Sequence, residues 1–246
     1  MSKADDYRRK LHTLDSWDAY LLQESGLPGP RGNLELAQVV ADEGDLPLFR
    51  RYLTYTADLA PTNSPYEFLA FCGVVGLGRL LAEGEDEHLQ TLRRCAADPR
   101  WRLREGVAMA LQRLGDADMD RLLAAMQSWA QGTPLEQRAA AAAICEPRLL
   151  AQPRHAAAAL ALLDLITVFL TVDRPHSSED LLALRKGLGY CWSVAVAALP
   201  ADGKPLMGKW LTNPNRDIQW VMRENLKKAR LQRMDAAWVE KWLHAG

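Results

Sequence analysis

Residues 98–111 read Asp-Pro-Arg-Trp-Arg-Leu-Arg-Glu-Gly-Val-Ala-Met-Ala-Leu. Asp98 before Pro99 offers a side-chain acceptor, followed by a residue with no N–H, where a helix has unpaired N–H groups. Beyond them Leu103, Val107, Ala110 and Leu114 recur at helical spacing, so one face is apolar. Trp101 and Glu105 fall roughly opposite, one turn apart. The stretch predicts an amphipathic helix that buries one side and keeps an indole and a carboxylate on the other.

The same kind of start recurs along the chain. Ser64-Pro-Tyr-Glu67 and Thr133-Pro-Leu-Glu136 place a hydroxyl at the cap, proline first in the helix and glutamate third. Asn213-Pro214 repeats the Asp98-Pro99 pattern. No segment shows sustained alternation with β-branched enrichment. The periodicity predicts helices over 3–23, 34–43, 46–59 and 65–82, then pairs over 87–97 with 99–114, 118–130 with 134–146, 154–172 with 178–198, and 204–212 with 215–231. A short helix over 236–244 closes the chain. The second helices begin near 99, 134, 178 and 214, a unit of roughly 35–44 residues, which is the period of helix-pair solenoids.

Residues 98–111 resemble the second half of a HEAT repeat, and Gln137–Ile144 is a degenerate version. The resemblance covers about residues 85–231. It implies an all-α fold, a right-handed α-solenoid or superhelix of HEAT-like antiparallel helix pairs. Residues 1–84 match loosely and are expected to form an N-terminal helical region of degenerate repeats or a cap. Residues 85–246 are expected to hold the repeats and the closing helix. Segments 98–114 and 213–231 also match each other, in two registers. One aligns the prolines; the other aligns Trp101-Arg-Leu-Arg-Glu105 with Trp220-Val-Met-Arg-Glu224, one turn away.

Composition sets wide bounds. The chain has 246 residues, enough for a full core in one domain or two. Its formal charge of −1 gives no global attraction to nucleic acid or membrane, so any charge argument is local. The four cysteines, Cys72, Cys95, Cys145 and Cys191, stand apart in apolar helical contexts and read as free thiols in a reducing compartment. Ala156–Val172 is apolar but slightly short for a span and carries Asp164, so it reads as a helix buried between others. The N-terminal residues are polar, without a signal-peptide core. A cytoplasmic location, no membrane contact and no cofactor are expected.

Local charge marks the candidate sites. Between residues 204 and 233, eight cations face only Asp217 and Glu224. Read as one helix, 213–233 buries Ile218, Met222, Leu226 and Ala229 and carries Arg216, Trp220, Arg223, Lys227 and Arg230 along one flank. A second excess gathers Arg93, Arg94, Arg100, Arg102 and Arg104 against Asp98. The candidate binding residues are therefore Trp101, Arg102, Arg104, Arg216, Trp220, Arg223, Lys227 and Arg230. If the second helices line the inner curve, their cations converge on a concave, partly basic surface, with phosphates as natural partners and indoles for stacking.

Other chemistry finds little support. Cys72-Gly-Val-Val-Gly-Leu-Gly78 lacks the order and the preceding strand of a dinucleotide loop and reads as close helix packing. There is no nucleophile elbow, Walker loop or HExxH, and the five histidines are scattered, so no metal site is proposed. The expected function is a non-catalytic HEAT-type scaffold for a protein or peptide partner. The alternative is a nucleic-acid-binding protein. The Trp101/Glu105 spacing resembles that of HEAT-like DNA alkylation-repair glycosylases, which implies duplex DNA as partner and Glu105 as the single weak candidate for catalysis. Glutamate stands there where that family has aspartate.

Overall fold

The computed structural model describes residues 2–172 and 178–244, and among them there are helices, loops and no strand. His176, one of the scattered histidines, lies outside the described residues. The chain divides into two compact units, Met1–Ala117 and Asp118–Gly246. The boundary expected at 84/85 falls inside the first of them.

The first unit holds α1 (Lys3–Leu11), α2 (Asp18–Glu24), α3 (Leu34–Glu43), α4 (Leu46–Tyr52), α5 (Pro65–Ala82), α6 (His88–Cys95) and α7 (Trp101–Ala117). The helix expected over 3–23 is two helices. His12 ends the first, and Thr13 bonds through Oγ1 to the Lys10 carbonyl instead of extending the ladder. Likewise α4 stops at Tyr52, where Thr54 bonds to the Arg51 carbonyl. Helix α5 is the centre. It packs most extensively on α7 and also on α3 and α4. Its glycines explain how closely: a Cβ on Gly78 would lie 2.4 Å from Ala110 Cα, and one on Gly76 would lie 2.3 Å from the Phe49 ring. The glycine-rich run is thus a packing device. Among the described residues α5 alone is long and apolar enough to cross a membrane, and most of it is buried within the unit.

The second unit holds α8 (Met119–Trp129), α9 (Pro134–Ile144), a 3₁₀ turn (Pro147–Leu150), α10 (Pro153–Phe169), α11 (Glu179–Ala198), α12 (Pro200–Leu211), α13 (Arg216–Leu226) and α14 (Ala229–Leu243). Helices α9, α11 and α13 pack in succession, and α8, α10 and α12 form a second row. Each sequential pair, α8/α9, α10/α11 and α12/α13, is also in contact. The first unit has a comparable row in which α1 meets α3, α3 meets α5, and α5 meets α7. Trp192 of α11 is fully buried, and its Nε1–H donates to Thr167 Oγ1 of α10 at 3.0 Å. Asp164 on α10 accepts from Trp210 Nε1 at 2.6 Å and lies 3.2 Å from Lys209 Nζ, so the charge in the apolar run is partnered by α12.

The segment 215–231 is not one helix. Lys228 takes an extended backbone, φ −78° and ψ 126°, which ends the hydrogen-bond ladder of α13. Ile218, Met222 and Leu226 are buried as expected, but Ala229 is exposed and Leu231 of α14 takes the buried place. The closing helix expected at 236–244 is the second half of α14, restarted at Asp235, whose carboxylate accepts from Trp238 N.

Candidate functional site

Helix α7 begins as its sequence implies, with one difference in detail. Asp98 Oδ1 accepts from Arg100 N at 2.8 Å, and the helix proper starts at Trp101. Leu103, Val107, Ala110 and Leu114 form the buried face. The arginines of this segment turn inward. Arg100, 3% exposed, chelates Asp98 and donates to the Tyr55 and Ala60 carbonyls. Arg104 Nη1 donates to the carbonyls of Asp98 and Pro99, which precede the helix.

Arg102, 7% exposed, pairs through Nη1 with Oε2 of the fully buried Glu67 at 3.1 Å. Its Nη2 donates to Gly29 O at 2.7 Å and Asn63 Oδ1 at 3.2 Å. Glu67 was legible only as a capping residue for α5. Ser64 does cap the helix, but the Glu67 carboxylate instead accepts from Asn63 N at 2.7 Å and meets Arg102. Asn63 reaches this position with φ +70°, a left-handed conformation that asparagine tolerates better than most residues. A buried charge needs such partners, because desolvation of an unpaired one costs several kcal/mol.

Trp101 and Glu105 do share a site. With Arg102 they line a pocket of about 190 Å³, whose other walls include Leu27, Phe68, Phe71 and Met109. Trp101 is 45% exposed, and the Arg102 guanidinium lies over its ring at 4.5 Å. The pocket is apolar apart from Arg31, Arg102 and Glu105.

Helix α13 carries the second candidate site. Asn215 caps it, accepting from Asp217 N and Ile218 N. Arg216, Trp220, Arg223 and Lys227 line one groove of about 380 Å³. Gln219, Glu224, Trp242 and Leu243 complete it. Trp220 is half-buried. The Arg185 guanidinium covers its ring at 4.6 Å, and Gly189 of α11 leaves room for it, since a Cβ there would lie 3.2 Å from Trp220 Cζ3. Lys227 is ion-paired with Glu224, and its ammonium holds the Glu224 carboxyl below the usual carboxylate range. Arg216 and Arg223 are exposed, and among the described residues neither meets a carboxylate. Arg230 belongs to α14, where it donates to Tyr190 OH and lies over that ring at 4.6 Å. It does not line the groove.

Of the sequence candidates, α7 therefore gathers Trp101, Arg102 and Glu105 in one pocket, and α13 gathers Arg216, Trp220, Arg223 and Lys227 in one groove. Trp242 was the groove residue that α13 could not announce, because it comes from the closing helix.

Among the described residues one group has metal-ligand chemistry, Glu85, Glu87 and His88 in the acidic turn, with ligand atoms within 4.8 Å of one another. The two glutamates are exposed, and His88 Nε2 is held by Glu85 Oε2 at 3.0 Å, a contact that the turn itself explains. All four cysteines are free. Cys72, Cys145 and Cys191 are buried; the Cys145 thiol contacts that of Cys191, and burial pushes it well above the ordinary thiol range. Compared with protein-family models and with curated proteins, the chain matches none.

Proposed function

We propose that this chain is a non-catalytic, HEAT-type helical-repeat scaffold that binds an acidic segment of a protein partner in the α13 groove. The repeat reading rests on the packing order in the second unit, where alternate helices form two rows and each sequential pair is in contact. The observation that carries the binding reading is the pair Arg216 and Arg223. They are exposed, two turns apart on one helix, and meet no carboxylate among the described residues. The other groove residues favour a peptide. Leu243 and Trp242 offer an apolar anchor point, Gln219 offers amide hydrogen bonds, and Glu224 adds a negative charge that a continuous phosphate backbone would have to pass.

A second reading has its own support. Trp220 and Trp242 stand in the same groove as two unpaired arginines, a combination of stacking surface and charge that suits nucleic acid. The experiment that tests both readings titrates the chain with a fluorescent polyglutamate-containing peptide and, separately, with a fluorescent DNA duplex at low and moderate salt. Peptide binding that weakens with salt and drops on Arg216→Gln/Arg223→Gln supports the scaffold. Duplex binding alone, with the same response to the variant, supports the second reading. No binding of either probe at low salt sinks both.

A further inference from the structure

We propose that the α5/α7 pocket of the first unit is a ligand site for a small one-ring aromatic carboxylate. This is independent of the α13 groove and of its partner. The volume is the first argument. At about 190 Å³ it is close to the ~150 Å³ of an engineered apolar cavity that holds benzene, and too small for a drug-sized molecule. The walls are the second. Phe68, Phe71, Trp101 and Met109 surround the space with ring and thioether surface, and Leu27 adds an aliphatic wall, which together favour an aromatic ring over a polar solute.

Charge completes the assignment. Two arginines and one carboxylate line the pocket. Arg102 is 7% exposed, and its buried Nε has no hydrogen-bond partner although both Nη groups are engaged. That Nε is sealed from solvent, so what Arg102 brings to the pocket is the charge of its guanidinium beside the Trp101 ring. Arg31 is exposed and meets no carboxylate among the described residues. A ligand carboxylate gives Arg31 an acceptor and sits beside the Arg102 guanidinium. Glu105 is the one lining group that opposes an anion, and it makes the opposite assignment, an aromatic ammonium, the natural competitor.

The test uses the full chain with benzoate, and with benzylammonium as the competitor. Binding is followed by NMR at the Met109 methyl and Trp101 indole signals. The expected result is a saturable shift of both signals with benzoate. Met109→Trp, which fills the pocket and leaves the Trp101 indole as the reporter, abolishes the shift of that signal, and Arg31→Gln weakens binding by roughly threefold to fivefold, the scale of an exposed charge pair. If Met109→Trp does not fold, Leu34→Phe fills the same space from another wall. Three results overturn the proposal: no saturable shift at millimolar benzoate, tighter binding of benzylammonium than of benzoate, or unchanged benzoate binding in a folded pocket-filling variant.

Discussion

Helices α7 and α13 contain the same short element, Trp-x-x-Arg-Glu, and use it differently. In both, the tryptophan and glutamate line a pocket within their own unit. In α7 the arginines are tied to the interior; in α13 two of them face solvent. The cause is position within the helix. Trp101 is the first residue of α7, so Arg104 reaches back to the Asp98 and Pro99 carbonyls, which no helical N–H uses. Trp220 is the fifth residue of α13, and the carbonyls equivalent to those, of Asp217 and Ile218, lie inside the helix and accept from Val221 and Met222. Among the described residues Arg223 makes no such bond. A second difference sits one place after the tryptophan, where α7 has Arg102, pairing with Glu67, and α13 has the buried Val221. A motif matched by residue type can be structural in one copy and available for binding in the other.

The largest effect expected from breaking this comparison comes from Arg102. Arg102→Met leaves Glu67 buried without its charge partner and lowers the unfolding free energy by about 3–5 kcal/mol in urea titration. Arg223→Met, its counterpart in residue type but not in role, stays within about 0.5 kcal/mol of the parent. Equal losses in the two variants would erase the distinction between the helices.

A smaller loss is expected at Asn225, which holds the place in α13 that Gly106 holds in α7. Its side chain accepts from Ser193 N at 2.7 Å and donates to Leu188 O at 2.8 Å, bridging to α11. Asn225→Leu removes these two bonds to α11, at about 0.5–1.5 kcal/mol each, and costs about 1–3 kcal/mol in the same assay.

The alkaline side gives a third test, confined to the end of α6, just before α7. Burial, assisted by Asp98, pushes the Cys95 thiol up to about 11. The folded value lies above the ~8.5 of an unfolded cysteine. Its contribution is thus fully present below that value and is lost as pH rises toward 11. The thermal midpoint is expected to fall between pH 8 and pH 10, and less so in Cys95→Ala. An identical fall in both proteins would clear this thiol of any part in it.

The smallest effect belongs to Glu224. Glu224→Gln releases Lys227 into the groove and tightens binding of the acidic peptide by roughly twofold to fivefold, with the unfolding midpoint unchanged. Weaker binding would mean that the carboxylate itself touches the partner.

The sequence made the helices and most of their buried faces legible, because period and caps are local properties. The helices expected near 34–43 and from Pro65 to about residue 82 are α3 and α5. The breaks were harder. Lys228 leaves the helical conformation within a run of good helix formers, and only the packing of Leu231 in place of Ala229 shows why a stripe drawn through Arg230 fails. The charge excess near residue 100 was visible, but its direction was not. Whether an arginine turns in or out depends on Glu67 and the Gly29 carbonyl, 35 and 73 residues away in the chain. The α13 cluster stayed legible because Arg216, Trp220 and Arg223 share one helix, with Lys227 at its C-cap, and need no distant partner to be brought together.

The central claim is that the α13 arginines bind and the α7 arginines support the fold. Its most direct test is the salt dependence of acidic-peptide affinity for the parent chain and for Arg216→Gln/Arg223→Gln, with the DNA duplex run beside it. Affinity is expected to fall with ionic strength in the parent and to show a clearly shallower dependence in the variant, whose urea midpoint is unchanged. If the duplex is the ligand, the slope of log affinity against log salt drops by roughly two, about 0.9 for each phosphate that an arginine no longer neutralises. Parent and variant binding either probe with the same affinity and the same slope would contradict the claim.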